Sequence, residues 1–595
     1  MSRDKYVKNK RFTADFETTT DVNDCRVWAW ATCEIGDPKN FHYGNDIATL
    51  FEFFQNNGNA KYYWHNMKFD GEFLVSYMLK QGFSYNEDKE HPIENSFCCL
   101  ISSMGQWFCI DIWLERQKNG KLRHVQMLDS LKIINSSVEQ IAQDFDLPIS
   151  KLTLDYHEKR EVGHVLTAHE ICYIRNDVEI MSRALDFMIN KQGLKKMTMA
   201  SDALHEYKTN HCKNFKEYFP ELPLDVDKDI RDSYKGGFTC VNPLYEGVKV
   251  GHGMTLDINS MYPFMMDTMP MPIQEPKYFS GKYEYDFEYP LYVIMFECSF
   301  ELKKGKIPSI QLKKNLLFKP NEYIESSYGE VVELCLTSVD YELFRKQYNV
   351  ENITFFGGYK FKQANGLFSS YIDKFIQMKI ESKKQGKKAQ TLCAKLLLNS
   401  LYGRFGLNPN SGKKIPFLVD GTLHYSIELA KEGDRKPVYI PVATFITSYA
   451  RRYIVESAQM VRDWSLKNKG FDAWVYCDTD SLKILLDRED LEKLSDVLRI
   501  DDYELGAWAF EEEWKAGLWI RQKCYIEEMM DGEIHATVAG MPKRLAPLLN
   551  FDNFRIGFST AELNREDVMK YGGYKLRYKH VDGGVVLEDT DFTIK

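Results

Sequence analysis

The chain has 595 residues, which is too long for one compact hydrophobic core, so we expect several domains. Its net charge of −9 excludes a surface that is basic throughout, and any nucleic-acid partner therefore requires locally concentrated lysine and arginine. The 13 cysteines include no Cys-x-x-Cys pair, which argues against a zinc site and against a disulfide framework.

The amino-terminal part of the chain alternates short β-like runs with helical stretches, a pattern that predicts an α/β domain. Asp15 and Glu17 follow a strand-like start, and side-chain alternation places both on one face of that strand. An edge strand with its acids in water is the ordinary explanation for such a pair. Further acidic residues later in the sequence favour a functional site instead.

Two later segments contain these further acidic residues. Asp70 ends the segment 66–70, and Tyr173 and Asp177 lie four residues apart on one face of a predicted helix. Four carboxylates can hold two Mg²⁺ ions, a pair that activates a water and stabilises the leaving oxygen of a phosphodiester. The phenol of Tyr173 is suited to orient that water.

A second acidic region begins at Asp257, which follows the strand-like residues 254–256 and precedes Pro263. An acid at a strand end reaches into a cleft. A plain strand-to-helix junction capped by Ser260 is an equal alternative. Further on, residues 276–365 are predicted to form mostly strands.

Residues 371–405 are predicted to form two helices with a break near residue 385. Lys395, Asn399 and Tyr402 share one face of the second helix, where a cation and a ring suit a nucleotide's triphosphate and base. A solvated helix face is the alternative explanation for about half of the lysines here. From Lys374 to Arg404 the chain carries one acid, Glu381, and eight basic residues: Lys374, Lys379, Lys383, Lys384, Lys387, Lys388, Lys395 and Arg404.

Asp478 and Asp480 flank Thr479 between two apolar runs, which predicts two short strands joined by a tight turn. Two carboxylates held this close repel each other unless a cation lies between them, and hard oxygen ligands on a rigid turn suit Mg²⁺. A solvated loop remains the alternative. The turn therefore suggests metal-assisted phosphoryl chemistry.

Together these motifs resemble those of family B DNA polymerases. Asp-x-Glu, Asn-x-x-Phe-Asp and Tyr-x-x-x-Asp resemble the three exonuclease motifs, at residues 15–17, 66–70 and 173–177. The polymerase motifs A, B and C are matched by residues 257–263, 395–403 and 476–481. The resemblance implies a multidomain α/β and α+β chain, with an RNase H-like 3′-5′ exonuclease domain and a right-hand polymerase domain of palm, fingers and thumb.

For the exonuclease, the resemblance implies that four acids bind metal ions: Asp15, Glu17, Asp70 and Asp177. Lys151 would assist cleavage, and Tyr173 would act in catalysis beside the metals. The single-stranded primer end would be held by Thr18, Asn66, Phe69, Ser130 and Leu131.

For the polymerase, the resemblance implies two Mg²⁺ ions on Asp257 and Asp480, with the carbonyl of Ile258 helping and Asp478 in a supporting role. Mn²⁺ would be able to substitute. Nucleotide contacts are expected from Tyr262 as a steric gate against a 2′-hydroxyl, from Lys383 and Lys395 on the triphosphate, and from Asn399 and Tyr402. Two positions depart from the family pattern: Thr391 stands where relatives tend to carry a second lysine, and Met261 replaces a leucine.

The resemblance also implies DNA contacts outside the two catalytic motif sets. Tyr234, Gly236 and Gly237 match a linker that coordinates the two active sites, and the remaining duplex and primer contacts are Thr447, Arg451, Lys523 and Tyr525.

Within the family, the chain resembles the protein-primed phage subgroup, and this resemblance implies two insertions. The first would dock a terminal protein, and the second would ring the DNA for processivity and strand displacement. The expected boundaries are exonuclease 1–190, palm 191–268, first insertion 269–370, fingers 371–406, second insertion 407–439 (a predicted exposed hairpin), palm 440–538 and thumb 539–595.

The expected partners are primer–template DNA, single-stranded DNA, dNTPs and the terminal protein, with the chain otherwise monomeric. The charged amino terminus lacks the apolar core of a signal peptide, and no apolar run approaches the ~20 residues that span a bilayer. We therefore expect no membrane association and a location in the cytoplasm of an infected bacterial host. Two alternatives stay open: a family B polymerase that uses ordinary nucleic-acid primers, and a catalytically silent DNA-binding scaffold.

Overall fold

The computed structural model of the protein describes residues 10–117, 120–155, 158–313, 315–319, 322–409, 411–430 and 438–595. Most of the charged amino-terminal segment and parts of the two predicted insertions lie outside these residues. In the described part of the chain, no helix is long and apolar enough to cross a membrane.

The amino-terminal α/β unit is built on an eight-stranded sheet in the order β3-β2-β1-β4-β8-β7-β6-β5. Strand β1 lies near its middle, antiparallel to β2 and parallel to β4. Helix α4 is tied to β1 by the buried Thr13 hydroxyl, which donates to the Val178 carbonyl at 2.7 Å. The strands are β1 Lys10–Thr18, β2 Val27–Glu34, β3 Asp37–Gly44, β4 Ala60–Trp64, β5 Ser84–Tyr85, β6 Ser96–Ile101, β7 Trp107–Arg116 and β8 Leu122–Asp129. The helices are α1 Ile47–Asn56, α2 Met67–Lys80, α3 Val138–Asp144 and α4 Ala168–Asp186.

A second sheet carries the other acids, in the order β22-β21-β20-β11-β19-β18-β9, with β10 paired to β20. Its central strand β11 is antiparallel to both neighbours. Before the first insertion the elements are helices α5 Met199–Glu206, α6 Phe215–Tyr218, α7 Leu224–Arg231 and α8 Met261–Thr268, and strands β9 Thr239–Val241, β10 Lys249–Val250 and β11 Gly253–Ile258.

The segment 269–370 forms a separate four-stranded sheet in the order β12-β15-β13-β14. The prediction of strands holds, but helix α9 interrupts them, since Thr337 caps its first turn by accepting from the Asp340 amide. The elements are β12 Met271–Ser280, β13 Leu291–Leu302, β14 Val332–Thr337, α9 Ser338–Gln347 and β15 Tyr348–Ala364.

The predicted helical pair is present as α10 Ser369–Lys384 and α11 Lys388–Phe405, with the break at the expected place. The predicted hairpin follows as β16 Lys413–Val419 and β17 Thr422–Glu428. Its two turn residues, Asp420 and Gly421, have φ of 47° and 78°, the left-handed pair that a two-residue hairpin turn requires.

The long helix α12, Ile440–Asn468, packs behind the second sheet and is followed by β18 Trp474–Asp478 and β19 Ser481–Ile484. A carboxy-terminal hairpin then returns to the amino-terminal unit, where Gly584 packs against the Phe73 ring of α2. The remaining elements are α13 Leu491–Leu494, β20 Trp508–Arg521, β21 Cys524–Met529, β22 Ile534–Val538, α14 Arg565–Lys570, β23 Lys575–Val581 and β24 Gly584–Thr590.

Candidate active sites

The first acidic cluster forms where β1 meets α4. One carboxylate oxygen from each of Asp15, Glu17 and Asp177 lies within 4.8 Å of the others. The cluster assembles because strand alternation turns Asp15 and Glu17 to one face, and α4 crosses that face. Asp70, in the first turn of α2, is 3 % exposed and interacts electrostatically with Asp15.

Burial and mutual repulsion make these acids hard to ionise. Burial first, and then the charge of Asp177, raises the pKa of Asp15 to about 7, against the opposing effect of Lys151. Burial is also the first cause of the raised pKa values of Glu17, Asp70 and Asp177. A cation placed among these carboxylates would remove the repulsion.

The donor set fits hard divalent cations. In the part of the chain that the structure describes, Oδ1 of Asp70 and Oδ1 of Asp177 are buried without a hydrogen-bond partner. Such carboxylate oxygens are the ligands that Mg²⁺ prefers. Lys151 Nζ lies 3.1 Å from Asp177 Oδ2, and the Tyr173 hydroxyl also bonds to Asp177. Both predicted catalytic side chains therefore border the cluster.

The predicted strand-binding residues divide into two groups. Asn66 is exposed in a left-handed conformation (φ 68°), while Thr18, Phe69 and Leu131 are half-buried near the same edge. Ser130 differs from the expectation of a direct DNA contact. It is 1 % exposed, and its hydroxyl donates to the Trp64 carbonyl at 2.9 Å.

The second acidic cluster lies at the predicted turn between β18 and β19. Asp257 on β11 pairs with Ser481, and the Ile258 amide donates to the Asp480 carbonyl at 2.8 Å. Thr479 has a φ of 64°, so the turn adopts a conformation that β-branched residues rarely occupy. These contacts bring the carboxylates of Asp257 and Asp480 to one edge of the sheet.

The acids at this edge are also destabilised in their charged forms. Burial, followed by the charges of Asp480 and Glu511, raises the pKa of Asp257 to about 7, while Lys395 and Lys379 oppose the rise. Burial raises the pKa of Asp480 as well, with Asp478 and Glu511 contributing. A pocket of about 470 Å³ opens beside these acids.

Asp478 and Asp480 are not equivalent. Asp478 is already engaged, since Lys523 Nζ lies 2.6 Å from its Oδ1 and the Tyr476 hydroxyl donates to its Oδ2 at 3.2 Å. Tyr525 packs against Tyr476 beneath this ion pair, with ring centroids 5.3 Å apart. This arrangement leaves Asp480 as the carboxylate of the turn that faces Asp257.

The polar face of the helical pair α10 and α11 lies beside the second acidic cluster. On α11, Lys395 and Asn399 are exposed, and Lys383 is exposed near the end of α10. The half-buried Tyr402 lies with its ring centroid 4.2 Å from that of Tyr262. The residues predicted to bind a nucleotide therefore converge on the second acidic cluster.

The segment 234–237 touches the acidic turn directly. A Cβ on Gly237 would stand 2.7 Å from the Thr479 side chain, and the Thr479 amide donates to the Phe238 carbonyl. Tyr234, at the start of the segment, lies against Gly406, with its hydroxyl 2.5 Å from where a Cβ would stand. Close packing explains why a glycine is needed at position 237.

Thr447 and Arg451 differ from the expectation of duplex contacts. Thr447 is 1 % and Arg451 4 % exposed, and helix α9 of the inserted segment packs against α12, with its Asp340 paired to Arg451. Arg451 Nη1 donates to the carbonyls of Lys235 and Gly236, each at 2.8 Å. In this structure Arg451 positions the 234–237 segment.

Sequence reasoning missed two features of the second site. Glu511 lines the pocket beside Asp257, at a bulge in β20 where the pairing with β11 passes from Phe510 to Glu512. Lys483 is buried with Glu527 at 2.6 Å below the turn. Alternation along β20 does not place Glu511, because the bulge interrupts it and the paired strand β11 lies more than 250 residues away in sequence.

Comparisons with known proteins agree with this architecture. The sequence profile of DNA polymerase type B, organellar and viral, matches residues 53–491. The DNA polymerase of Bacillus phage Nf is 41% identical over 608 residues (99% of this chain, 100% of the relative), and that of Streptococcus phage Cp-1 is 32% identical over 611 residues (98% of each).

The fold is matched by phi29 DNA polymerase complexed with primer-template DNA and incoming nucleotide substrates. The TM-score is 0.87 at 37% identity, over 99% of this chain and 100% of that one. The predicted fold class, an exonuclease-type domain joined to a type B polymerase domain, is thereby confirmed. The chain belongs to the organellar and viral type B family of DNA polymerases and is a DNA-directed DNA polymerase.

Proposed function

We propose that the protein is a protein-primed, processive and strand-displacing replicative polymerase that proofreads with its own 3′-5′ exonuclease, in the cytoplasm of a phage-infected bacterium. Its substrates are primer–template DNA and dNTPs, by analogy with the complex of its phi29 relative. The observation that carries the proposal is the presence of two separate carboxylate clusters, one in each domain, each with raised pKa values.

Polymerisation takes place at Asp257 and Asp480. Two Mg²⁺ ions held there, with the Ile258 carbonyl, would lower the pKa of the primer 3′-hydroxyl and neutralise the pyrophosphate leaving group; Mn²⁺ would be able to substitute. Asp478 supports the turn through its bond with Lys523.

The fingers and the palm hold the nucleotide between them. Lys395 and Lys383 bind the triphosphate as point charges, and Asn399 orients it. The adjoining rings of Tyr262 and Tyr402 close the sugar pocket, so that Tyr262 excludes a 2′-hydroxyl. The exposure of both lysines, and the charge of Lys395 acting on Asp257, support these roles.

The exonuclease removes a mispaired 3′ end at Asp15, Glu17, Asp70 and Asp177. These acids would bind two divalent ions that activate the attacking water. Tyr173 orients the water and Lys151 stabilises charge on the cleaved phosphate, since both already lie against Asp177. Thr18, Asn66, Phe69 and Leu131 hold the frayed strand, whereas Ser130 shapes the groove from beneath.

Docking of a terminal protein is assigned to the insertion 269–370. On its surface, Tyr285 is 82% and Phe287 85% exposed. Large exposed aromatic side chains near one another are typical of protein-binding surfaces. The priming hydroxyl would come from that partner.

Encirclement of DNA is assigned to the second insertion, 407–439. Its hairpin bridges two other units: the Tyr425 hydroxyl donates to Glu72 Oε2 of α2 at 2.5 Å, and Thr422 forms a β-bridge with Asp582 of the carboxy-terminal hairpin. Contacts on both sides support a closed ring. The domain boundaries given above are proposed to hold for this chain.

Two variants separate the two activities. Asp480→Ala is expected to abolish primer extension and leave 3′-5′ degradation of single-stranded DNA intact. The double variant Asp15→Ala with Glu17→Ala is expected to do the reverse. Normal extension by the Asp480 variant would contradict the assignment of the polymerase site.

Protein priming needs its own experiment. Incubation with labelled dATP and the candidate terminal protein is expected to yield a covalent protein–nucleotide adduct. Failure to form the adduct, with normal extension of a DNA primer, would favour a polymerase that uses ordinary primers. Extension of a primed circular template without helicase or clamp tests strand displacement, by whether products exceed one circle.

A further inference from the structure

Lys483 lies on β19, in the row of side chains next to the proposed metal ligands. It pairs across the sheet with Thr255 on β11, just as Ser481 pairs with Asp257 in the neighbouring row. Alternation places Lys483 and Thr255 on the same face of the sheet as Asp257, and this face borders the pocket of about 470 Å³. At 4 % exposure, Lys483 has almost no surface to offer to DNA directly.

The ammonium group of Lys483 connects β19 to three other strands of this sheet. Nζ donates to Thr255 Oγ1 on β11 at 3.0 Å and to Glu527 Oε1 on β21 at 2.6 Å. Glu512 on β20, which pairs with Thr255, lies 3.7 Å from the same nitrogen. Although burial opposes the charge of the ammonium group, the charge of Glu527 raises the pKa of Lys483 above its usual value. The lysine therefore stays charged among these partners.

Tyr525 on β21 is held by the same ammonium group. It precedes Glu527 by two residues, so both side chains lie on one face of the strand. Lys483 Nζ stands 5.2 Å from the centroid of the Tyr525 ring, which is a cation–π distance. The rings of Trp519 and Tyr476 also adjoin it, with centroids 6.0 and 5.3 Å away. The tyrosine is half-buried and lines the pocket, so part of its ring stays accessible from there.

Net stability does not explain why a charged pair lies at this place. Desolvation of Lys483 and Glu527 offsets most of their attraction, so apolar side chains of similar volume would hold the sheet equally well. The ion pair adds a defined geometry instead, because its hydrogen bonds have fixed lengths and directions. These bonds set the distance between β11, which carries Asp257, and β21, which carries Tyr525.

We infer that Lys483 is a positioning residue for polymerisation, which holds Tyr525 against the primer strand at a fixed distance from Asp257. When the ammonium group is removed, the ring shifts relative to the acids and the primer 3′ end is bound less tightly. The nucleotide contacts on α11 are not affected. The inference rests on the proposed polymerase site and on the primer contact expected of Tyr525.

Removal of both charges tests the inference without leaving one charge buried and unpaired. Lys483→Met with Glu527→Met is made in a protein that also carries Asp15→Ala and Glu17→Ala, so that the primer is not degraded. The Kd for primer–template DNA, measured by fluorescence anisotropy, is expected to rise about fivefold to twentyfold, the effect of a weakened cation–π and stacking contact. The KM for dNTP is expected to stay within about twofold, because its contacts lie on other elements.

A double-mutant cycle with Tyr525→Ala identifies the residue through which Lys483 acts. In a Tyr525→Ala background, removal of the charged pair is expected to change the Kd for primer–template DNA by less than about twofold. The matched control is Lys515→Met with Glu528→Met, which removes an exposed ion pair of 2.8 Å between β20 and β21. It is expected to leave both constants unchanged. A thermal unfolding transition matching that of the parent protein shows that each variant is folded.

Three results would overturn the inference. They are an unchanged Kd for primer–template DNA in the charged-pair variant, an equal rise in this Kd and in the KM for dNTP, and additive effects of the pair and Tyr525→Ala. Tyr525→Ala alone tells the two levels apart. If it raises the Kd while the charged-pair variant does not, the inference fails and the primer contact of Tyr525 stands; if it leaves the Kd unchanged, that contact fails as well.

Discussion

The ion pair between Asp340 and Arg451 links the first insertion to the polymerase centre, and its removal gives the sharpest structural prediction. Asp340 Oδ2 lies 2.5 Å from Arg451 Nη2, and Oδ1 lies 3.2 Å from Nε. Both side chains are buried, at 8% and 4% exposure. The same guanidinium holds the carbonyls of Lys235 and Gly236.

Arg451→Met removes one partner and leaves the other charge buried. Loss of one partner of a buried pair costs about 3–5 kcal/mol, because the remaining carboxylate is uncompensated. The double variant Asp340→Leu with Arg451→Met removes both charges. We expect it to be about 2 kcal/mol less stable than the unchanged protein, because the two hydrogen bonds from Arg451 to backbone carbonyls are lost.

Hydrogen exchange of the α12 amides is the appropriate assay, because a chain of several domains does not unfold in one two-state step. The two variants and Asp340→Leu complete a double-mutant cycle, in which the two single losses together are expected to exceed the loss of the double variant by about 4–8 kcal/mol. A loss below about 1 kcal/mol for Arg451→Met, or a double variant less stable than either single one, would refute the reasoning.

Further predictions concern the two carboxylate sites. Asp478→Asn is expected to retain more primer extension than Asp480→Asn in the same assay, since Asp478 supports the turn through Lys523. Gly237→Ala is expected to reduce extension and to cost about 1–3 kcal/mol by overpacking against the turn, with single-stranded DNA degradation as its control readout. Asp15 has a folded pKa of about 7, raised above its unfolded value, so the contribution of this carboxyl group to metal-free stability is present at low pH and is lost as pH rises through about 7. Mg²⁺ binds the ionised acids, so its stabilising effect in a melting experiment is expected to grow across that range, and a gain independent of pH would contradict this.

Local patterns were sufficient to predict the elements that carry the motifs. Alternation predicted β1 and its two acids, the apolar runs around Thr479 predicted β18 and β19, and the Asp-Gly pair predicted the hairpin turn at residue 420. In each case the determinant is a side-chain period or a left-handed turn, both of which a short segment specifies by itself.

The burial of a residue by a segment distant in sequence could not be predicted. Arg451 matches a DNA-contact motif, yet its side chain is covered by α9, a helix that begins 113 residues earlier in the sequence. Ser130 was expected at the DNA surface and bonds inward to Trp64. Glu511 reaches the site at a bulge in the pairing of β20 with β11. Each outcome depends on contacts between distant segments, which sequence periodicity does not encode.

The segment 234–237 contacts the turn that carries Asp478 and Asp480. Thr479 holds a left-handed backbone that costs about 1–3 kcal/mol for a β-branched residue, so its surroundings must enforce it. They do so from one side, where the Phe238 carbonyl accepts from the Thr479 amide and Gly237 packs against its side chain. Arg451 fixes the preceding carbonyls in turn. We therefore expect a change at the linker or at the ion pair to displace Asp480 and to reduce primer extension, while single-stranded DNA degradation at the distant cluster around Asp15 is retained.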